Sequence, residues 1–370
     1  MNLLHLKYLI YKEFLQINKD KSILIIAFFV PLLLIIIYGF GMNMDIKPIR
    51  AAFVSETNSA QVSDLYSKLQ GSEYIEIQRL FNHTKAERLL NQHAIDAIID
   101  IKSDFNPAKI KATDEILITV NGVSGITAVT VQNYLQEAIS TVLNQSKSTE
   151  SVKLVSRNWF NDANTSTWYL LPGQMIGIIT LVGAFMSSLV IAREINRGTI
   201  ESLIVSNVSA LEVVISKTLT YFFMAFWGAM LTLIFTEIFF AIPIKGSLFF
   251  LISTIFFYTL SSVALGLLIS AVMKDQFLAT EYAIILSFLP AILLSGALFD
   301  LRSVPFAITC IGYLLPPTYA VESMRICFLS GGNEAALIKN LAIIIGYSFI
   351  FLSISVFLLR KQGIKGVKNV

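Results

Sequence analysis

Residues 23–42 read ILIIAFFVPLLLIIIYGFGM, twenty positions without a charge. Fourteen of them are Leu, Ile, Phe or Val, and at roughly 0.3–0.6 kcal/mol each these favour membrane insertion by about 4–8 kcal/mol. A secretory signal has an apolar run of about 7–15 residues followed by a small-residue cleavage site. This run is longer and leads into Met42-Asn43-Met44, which suits cleavage poorly. It is read as an anchor (TM1, 23–42) that stays in the protein.

The rest of the chain agrees with a lipid solvent. Of 370 residues, 55% are hydrophobic and 14% charged, against about 25% charged in a typical soluble domain. Five further segments, roughly 170–192, 218–240, 248–272, 278–299 and 338–359, reach the roughly 20 apolar residues a spanning helix needs. The expected fold class is an α-helical membrane protein with six transmembrane helices, arranged as one plus five.

Orientation follows from Lys and Arg in short flanks. The N-terminal stretch 1–22 carries Lys7, Lys12, Lys19 and Lys21, and its apolar Leu6, Ile10 and Leu15 make it an amphipathic helix along the inner surface. The tail 361–370 is basic, with Lys361, Lys365 and Lys368 after Arg360. The 193–217 loop adds Arg193, Arg197 and Lys217. Both termini are therefore expected in the cytoplasm of a bacterial cell, the protein crossing its inner membrane. A net charge of +3 gives no footprint for nucleic acid.

Residues 43–168 then lie outside. IRAAFV (49–54), YIEIQRL (74–80), AIDAIIDI (94–101) and EILITV (115–120) read as strands, alternating with helical stretches at 59–69, 84–92 and 126–143. Thr84 with Glu87 three residues later gives a cap signal. The expectation is an α/β extracytoplasmic domain inserted between the first and second spans, non-catalytic because it carries no nucleophile, dinucleotide or metal pattern. Cys310, Cys327 and three scattered histidines give no metal spacing. Both cysteines are placed on the oxidising side, so a disulfide between them is open.

The loop AREINRGTIESLIVSNVSALEVVISK (192–217) is charged, contains Gly198, and carries Ile200, Leu203 and Ile204 on one helical face. It resembles the loop of ABC-2 type permeases, in which an A-R-E…R-G-T…E-x-L pattern follows the second span. Ala192, Arg193, Glu194, Arg197, Gly198, Thr199, Glu201 and Leu203 match; Asn207 and Ser216 stand where the family often has proline and glycine. LLSGALFDLRSVP (293–305) resembles the family's L-S-G-x-x-F-P stretch, with Asp300 for the usual proline, and PPTYAVESMR (316–325) its P-x-T-Y…R segment. The resemblance runs the length of the chain.

It implies a five-helix transmembrane domain over 169–360, with 193–217 as the inner coupling loop and 300–330 as an outer re-entrant segment. A subgroup with such an outer domain is linked to efflux of drugs and other amphiphiles. No G-x-x-x-x-G-K-[ST] motif occurs, so the chain binds no cofactor by that route and ATP with Mg is expected on a partner ABC ATPase subunit. The resemblance implies that ATPase and a permease dimer, either a homodimer or a heterodimer with a sister permease. A periplasmic membrane-fusion adaptor is a further possible partner, and membrane lipid surrounds the spans.

One helix over 193–205 is expected in a cleft of the ATPase, with Arg193, Glu194, Arg197, Gly198, Thr199 and Glu201 as coupling residues. Gly296, Pro316, Pro317, Tyr319, Glu322 and Arg325 are read as an outer gate, the two prolines breaking a helix and Glu322 and Arg325 pairing three apart. The second and fifth spans are expected to line the path, with Met175, Phe185 and Met186 as adaptable contacts and Glu281 as an acidic candidate. A membrane sensor, the rival reading, accounts for the outer domain but not for six spans with a charged inner loop.

Overall fold

The computed structural model describes residues 3–41, 48–55, 60–72, 74–92, 94–101, 116–120, 125–145, 166–206, 208–299, 301 and 303–364. Asn207, Asp300, His93 and the basic tail at 365–370, all used in the sequence reading, lie outside them. The chain divides into two compact units, one formed by Met1–Met44 with Asn158–Val370 and the other by Asp45–Arg157.

The larger unit is helical. It opens with α1 (Leu3–Lys19) and α2 (Lys21–Gly41). After the smaller unit come α6 (Ser166–Asn196), α7 (Ile200–Val205), α8 (Ala210–Phe240), α9 (Leu248–Met273) and α10 (Gln276–Leu293). α11 (Phe306–Tyr313), α12 (Pro316–Arg325) and α13 (Glu334–Lys361) complete it. Among the described residues six helices, α2, α6, α8, α9, α10 and α13, are long and apolar enough to cross a membrane. α11 and α12, at 8 and 10 residues, are each too short to do so.

α6 is the axis of this unit. In its most apolar window 89% of residues are buried, against 17% in α13, so α6 is packed by protein while α13 turns its apolar surface outward. Two core clusters meet along it, one around Met175, Ile179 and Tyr258, the other around Met186, Val190 and Leu267. α2 packs closely against α8. Pro31 has no N–H to give the carbonyl of Ala27, and residues 25–29 form a wider turn. That carbonyl lies directly against Gly228 of α8, where a Cβ would collide with it.

The smaller unit has a four-stranded sheet of order β2-β1-β3-β4, from β1 (Ile49–Ser55), β2 (Ile75–Leu80), β3 (Ala97–Ile101) and β4 (Ile116–Val120). β1 runs parallel to β2 and β3, and β4 is antiparallel to β3. β1 is apolar at successive positions because both its faces are covered. Ile49, Ala51 and Phe53 pack with Leu65 of α3 (Ala60–Gln70) and Leu135 of α5 (Gly125–Gln145). Ala52 and Val54 pack with Ala86 of α4 (His83–Asn91) on the other face.

Two details differ from the sequence reading. α4 is capped by Asn82, whose Oδ1 accepts the Thr84 N–H at 2.9 Å, rather than by Thr84; Asn82 has the extended backbone a cap requires. The strand expected over 94–101 begins only at Ala97, because Asp96 turns to Arg50, whose Nη2 lies 2.8 Å from its Oδ1.

Candidate functional site

The third long helix begins earlier than its apolar run suggests. Ser209 and Glu212 form a reciprocal cap: Ser209 Oγ accepts the Glu212 N–H at 3.3 Å and Glu212 Oε2 accepts the Ser209 N–H at 2.9 Å. α8 therefore starts at Ala210, and Lys217, expected as a loop charge flanking a span, falls two turns inside the helix with its side chain 3% exposed.

Lys217 is held by two carboxylates from two other helices. Its Nζ lies 2.8 Å from Glu13 Oε1 on α1 and 3.0 Å from Glu194 Oε1 at the end of α6. Lys12 is the second cation, bonded to Glu194 and 3.3 Å from Glu13. Beside them Arg193 Nη1 donates to Asp20 Oδ2 at 2.8 Å, and Asp20 also accepts the Ser22 N–H that opens α2. Burying one ion costs several kcal/mol unless its charge and hydrogen bonds are met. Here two carboxylates face two ammonium groups, and the set joins α1, α6 and α8.

This changes the expected coupling loop. Arg193 and Glu194 are buried and committed to α1, α8 and the α1–α2 junction instead of facing outward. Helix α6 stops at Asn196. Gly198 takes a left-handed φ of 69°, as at many helix ends, and Thr199 turns back so that its N–H donates to the Glu194 carbonyl at 3.0 Å. The single helix expected over 193–205 is thus a helix end, a turn and the six-residue α7. Arg197, Gly198, Thr199 and Glu201 are exposed, and Val205, at 86%, presents an apolar tip. The sequence reading missed Glu13, Asp20 and Lys217 as a group, although the S-x-x-E signature at Ser209–Glu212 was legible.

At the other end of α6 lies a groove of about 760 Å³. Four of the residues expected at an outer gate, Gly296, Tyr319, Glu322 and Arg325, line it, with Tyr169 and Lys339. Arg325 Nη2 donates to the Ala297 carbonyl at 3.0 Å, and its guanidinium carbon sits 3.9 Å from the centre of the Tyr169 ring, a cation–π contact. Glu322 Oε2 accepts from Asn340 Nδ2 at 3.2 Å. In place of the expected mutual pair, each has a partner on another element. Tyr319 donates its hydroxyl to the Tyr313 carbonyl at 2.8 Å.

The helix break expected at Pro316 and Pro317 is present: α11 ends at Tyr313 and Leu315 is extended, just ahead of the two prolines. They occupy the first positions of α12, where a missing N–H costs nothing, and they line a smaller cavity with Thr180 and Tyr258. Met175 and Met186, expected on the path, are enclosed in the packing of the two separate clusters. Phe185 is half-buried and Glu281 is exposed on α10. Cys310 and Cys327 are free thiols, the first exposed and the second buried.

The sequence is similar to known proteins along most of its length. The family described as ABC-2 family transporter protein matches residues 21–357. This chain belongs to the ABC-2 transporter family. It is 30% identical over 353 residues to the probable multidrug ABC transporter permease YbhS of Escherichia coli K12, covering 93% of each chain. It is 25% identical over 333 residues to the probable multidrug ABC transporter permease YbhR of the same organism, covering 88% of this chain and 90% of that protein. Similarity also extends to ABC transporter G family member 20 of Dictyostelium discoideum, 22% identical over 351 residues, which cover 86% of this chain and 45% of that protein. With six helices among the described residues able to cross a bilayer, this ABC-2 transporter protein is a membrane protein, and YbhS and YbhR are each described as a probable permease.

Proposed function

We propose that this chain is the permease subunit of an ATP-driven exporter in a bacterial inner membrane, moving an amphipathic drug-like compound or lipid outward. ATP and Mg are bound by a separate ABC ATPase, which docks on the exposed Arg197–Val205 turn. The observation that carries the reading is the ionic cluster of Glu13, Glu194 and Lys217 next to that turn. A push on α7 reaches the end of α6 through the Thr199–Glu194 hydrogen bonds, and the cluster passes it to α1 and α8 as one body. A rigid element shared by two spans is what force transfer into a helix bundle needs.

The basic flanks favour both termini in the cytoplasm, with the Asp45–Arg157 unit outside and five spans after it. A second permease, identical or a sister, completes the path, and the outer unit offers a periplasmic adaptor a surface. The drug-like substrate class is supported by the multidrug designation of YbhS and YbhR.

The test is co-expression with a candidate ABC ATPase subunit and a measurement of ATP-dependent export. Glu201→Lys and Arg197→Glu, both on exposed positions, are expected to leave the permease folded while lowering ATP-dependent export about tenfold or more. Export unchanged by both reversals would remove the docking assignment.

A further inference from the structure

We infer that the groove at the Tyr169 end of the bundle binds the head of a zwitterionic phospholipid, one with a phosphate and a tethered ammonium. The groove carries fixed charges of both signs. Arg325 is held by the Ala297 carbonyl and the Tyr169 ring, and Lys339 of α13 adds a second cation from another wall. Glu322, positioned through Asn340, lies one helical turn before Arg325, which separates their Cβ atoms by about 5–6 Å.

That spacing selects the occupant. A purely anionic head meets Glu322 as a like charge, and a purely cationic one meets Arg325 and Lys339. A phosphate joined to an ammonium by a two-carbon link pairs with all three, phosphate oxygens on Arg325 and Lys339 and the ammonium on Glu322 beside the Tyr313 and Tyr319 rings. Leu301, Ile326 and Leu329 supply apolar wall for acyl chains.

The height of the groove agrees. Tyr169 and Arg193 are 24 positions apart on α6, which at 1.5 Å per residue is about 36 Å. The groove and the ionic cluster therefore lie near opposite ends of one span, and the groove falls at the level of lipid head groups. The inference rests on the proposed function in one respect, that α6 crosses the bilayer, and it needs no ATPase.

The test uses the full chain purified without an ATPase. It is titrated with dihexanoyl phosphatidylethanolamine, dihexanoyl phosphatidylglycerol, glycerophosphoethanolamine and dodecyltrimethylammonium, and bound ligand is counted by native mass spectrometry. Phosphatidylethanolamine is expected to bind about tenfold tighter than each of the others, the worth of one added charge-assisted contact. Glu322→Gln, which keeps an acceptor for Asn340, should bring phosphatidylethanolamine to the level of phosphatidylglycerol without weakening the latter. Lys339→Gln, at an exposed position, should weaken both lipids about tenfold.

Equal binding of the two lipids by the unaltered chain, or a ratio that Glu322→Gln does not move, overturns the inference. So does glycerophosphoethanolamine binding as tightly as the lipid. Lys339→Gln changing the number of copies per particle with no effect on lipid assigns the groove to a second copy of the chain and also overturns it. Failure in any of these leaves the exporter reading standing, since that reading fails separately, through export unchanged by the Glu201 and Arg197 reversals.

Discussion

Replacing Lys217 by methionine removes one cation from a buried set that is otherwise balanced. Glu13 and Glu194 each approach Lys217 Nζ within 3.0 Å, and the side chains of all three are 3–5% exposed. Removing one partner of a buried pair costs about 3–5 kcal/mol, mainly because the other charge is left without compensation. Two carboxylates are left here, but Lys12 still reaches both from a half-exposed position. The expected loss is therefore near the lower end, about 3 kcal/mol, which is more than a hundredfold in the ratio of folded to unfolded protein.

The assay is equilibrium unfolding of the purified permease in mixed micelles of rising SDS content, run for Lys217→Met, Glu13→Gln and the double variant. Glu13→Gln with Lys217→Met restores charge balance, so the double variant should be more stable than the sum of the singles by about 1–3 kcal/mol. A single-variant loss below about 1 kcal/mol, or a double variant additive within about 0.5 kcal/mol, would refute the description of the cluster as a buried, mutually dependent set.

Gly228→Ala should destabilise the bundle by about 1–3 kcal/mol, because the new Cβ lands on the Ala27 carbonyl of α2; Gly346→Ala, with open space around it, should stay within about 0.5 kcal/mol in the same unfolding assay. In the smaller unit, burial pushes the Asp96 carboxyl up, but its hydrogen bonds to Arg50 outweigh that and hold it below the usual carboxylate range. A depressed folded value means the stabilisation is complete above the unfolded pKa of about 3.9 and is lost as pH falls through the folded value. Hydrogen exchange at β1 and β3 should accordingly quicken as pH is lowered below about 4 once the intrinsic rate is corrected for, and Asp96→Asn should flatten that dependence; equal pH profiles for the two proteins would count against the pair. Gly198→Ala introduces a side chain at φ 69° with nothing within 4 Å, so it should cost about 1 kcal/mol through backbone strain alone and reduce export without loss of ATPase binding.

Much of the fold was legible in sequence because insertion depends on summed local hydropathy. The run at 23–42, the helices around 248–272 and 338–359, and the apolar stretch at 51–54 of β1 all declare themselves by composition over a short window. The family was readable in the same way, since its signature is an ordered set of short local patterns, but Gly198, read within one helix over 193–205, marks a turn. What composition does not carry is pairing between distant segments. Lys217 was read as a basic flank because lysine beside an apolar run usually is one; its burial depends on Glu13 and Glu194, 204 and 23 positions away, arriving at the same point. Arg193 and Glu194 likewise matched a surface motif while tertiary packing turned them inward. Glu322 and Arg325 looked like each other's partner by spacing alone, but Asn340, Ala297 and Tyr169, supplied by other elements, took those places. Local hydropathy and backbone preference settled where helices form. The distribution of buried charge was settled only by the folded bundle, since a buried ion is stable only where distant chain segments bring its counter-charge within hydrogen-bonding distance.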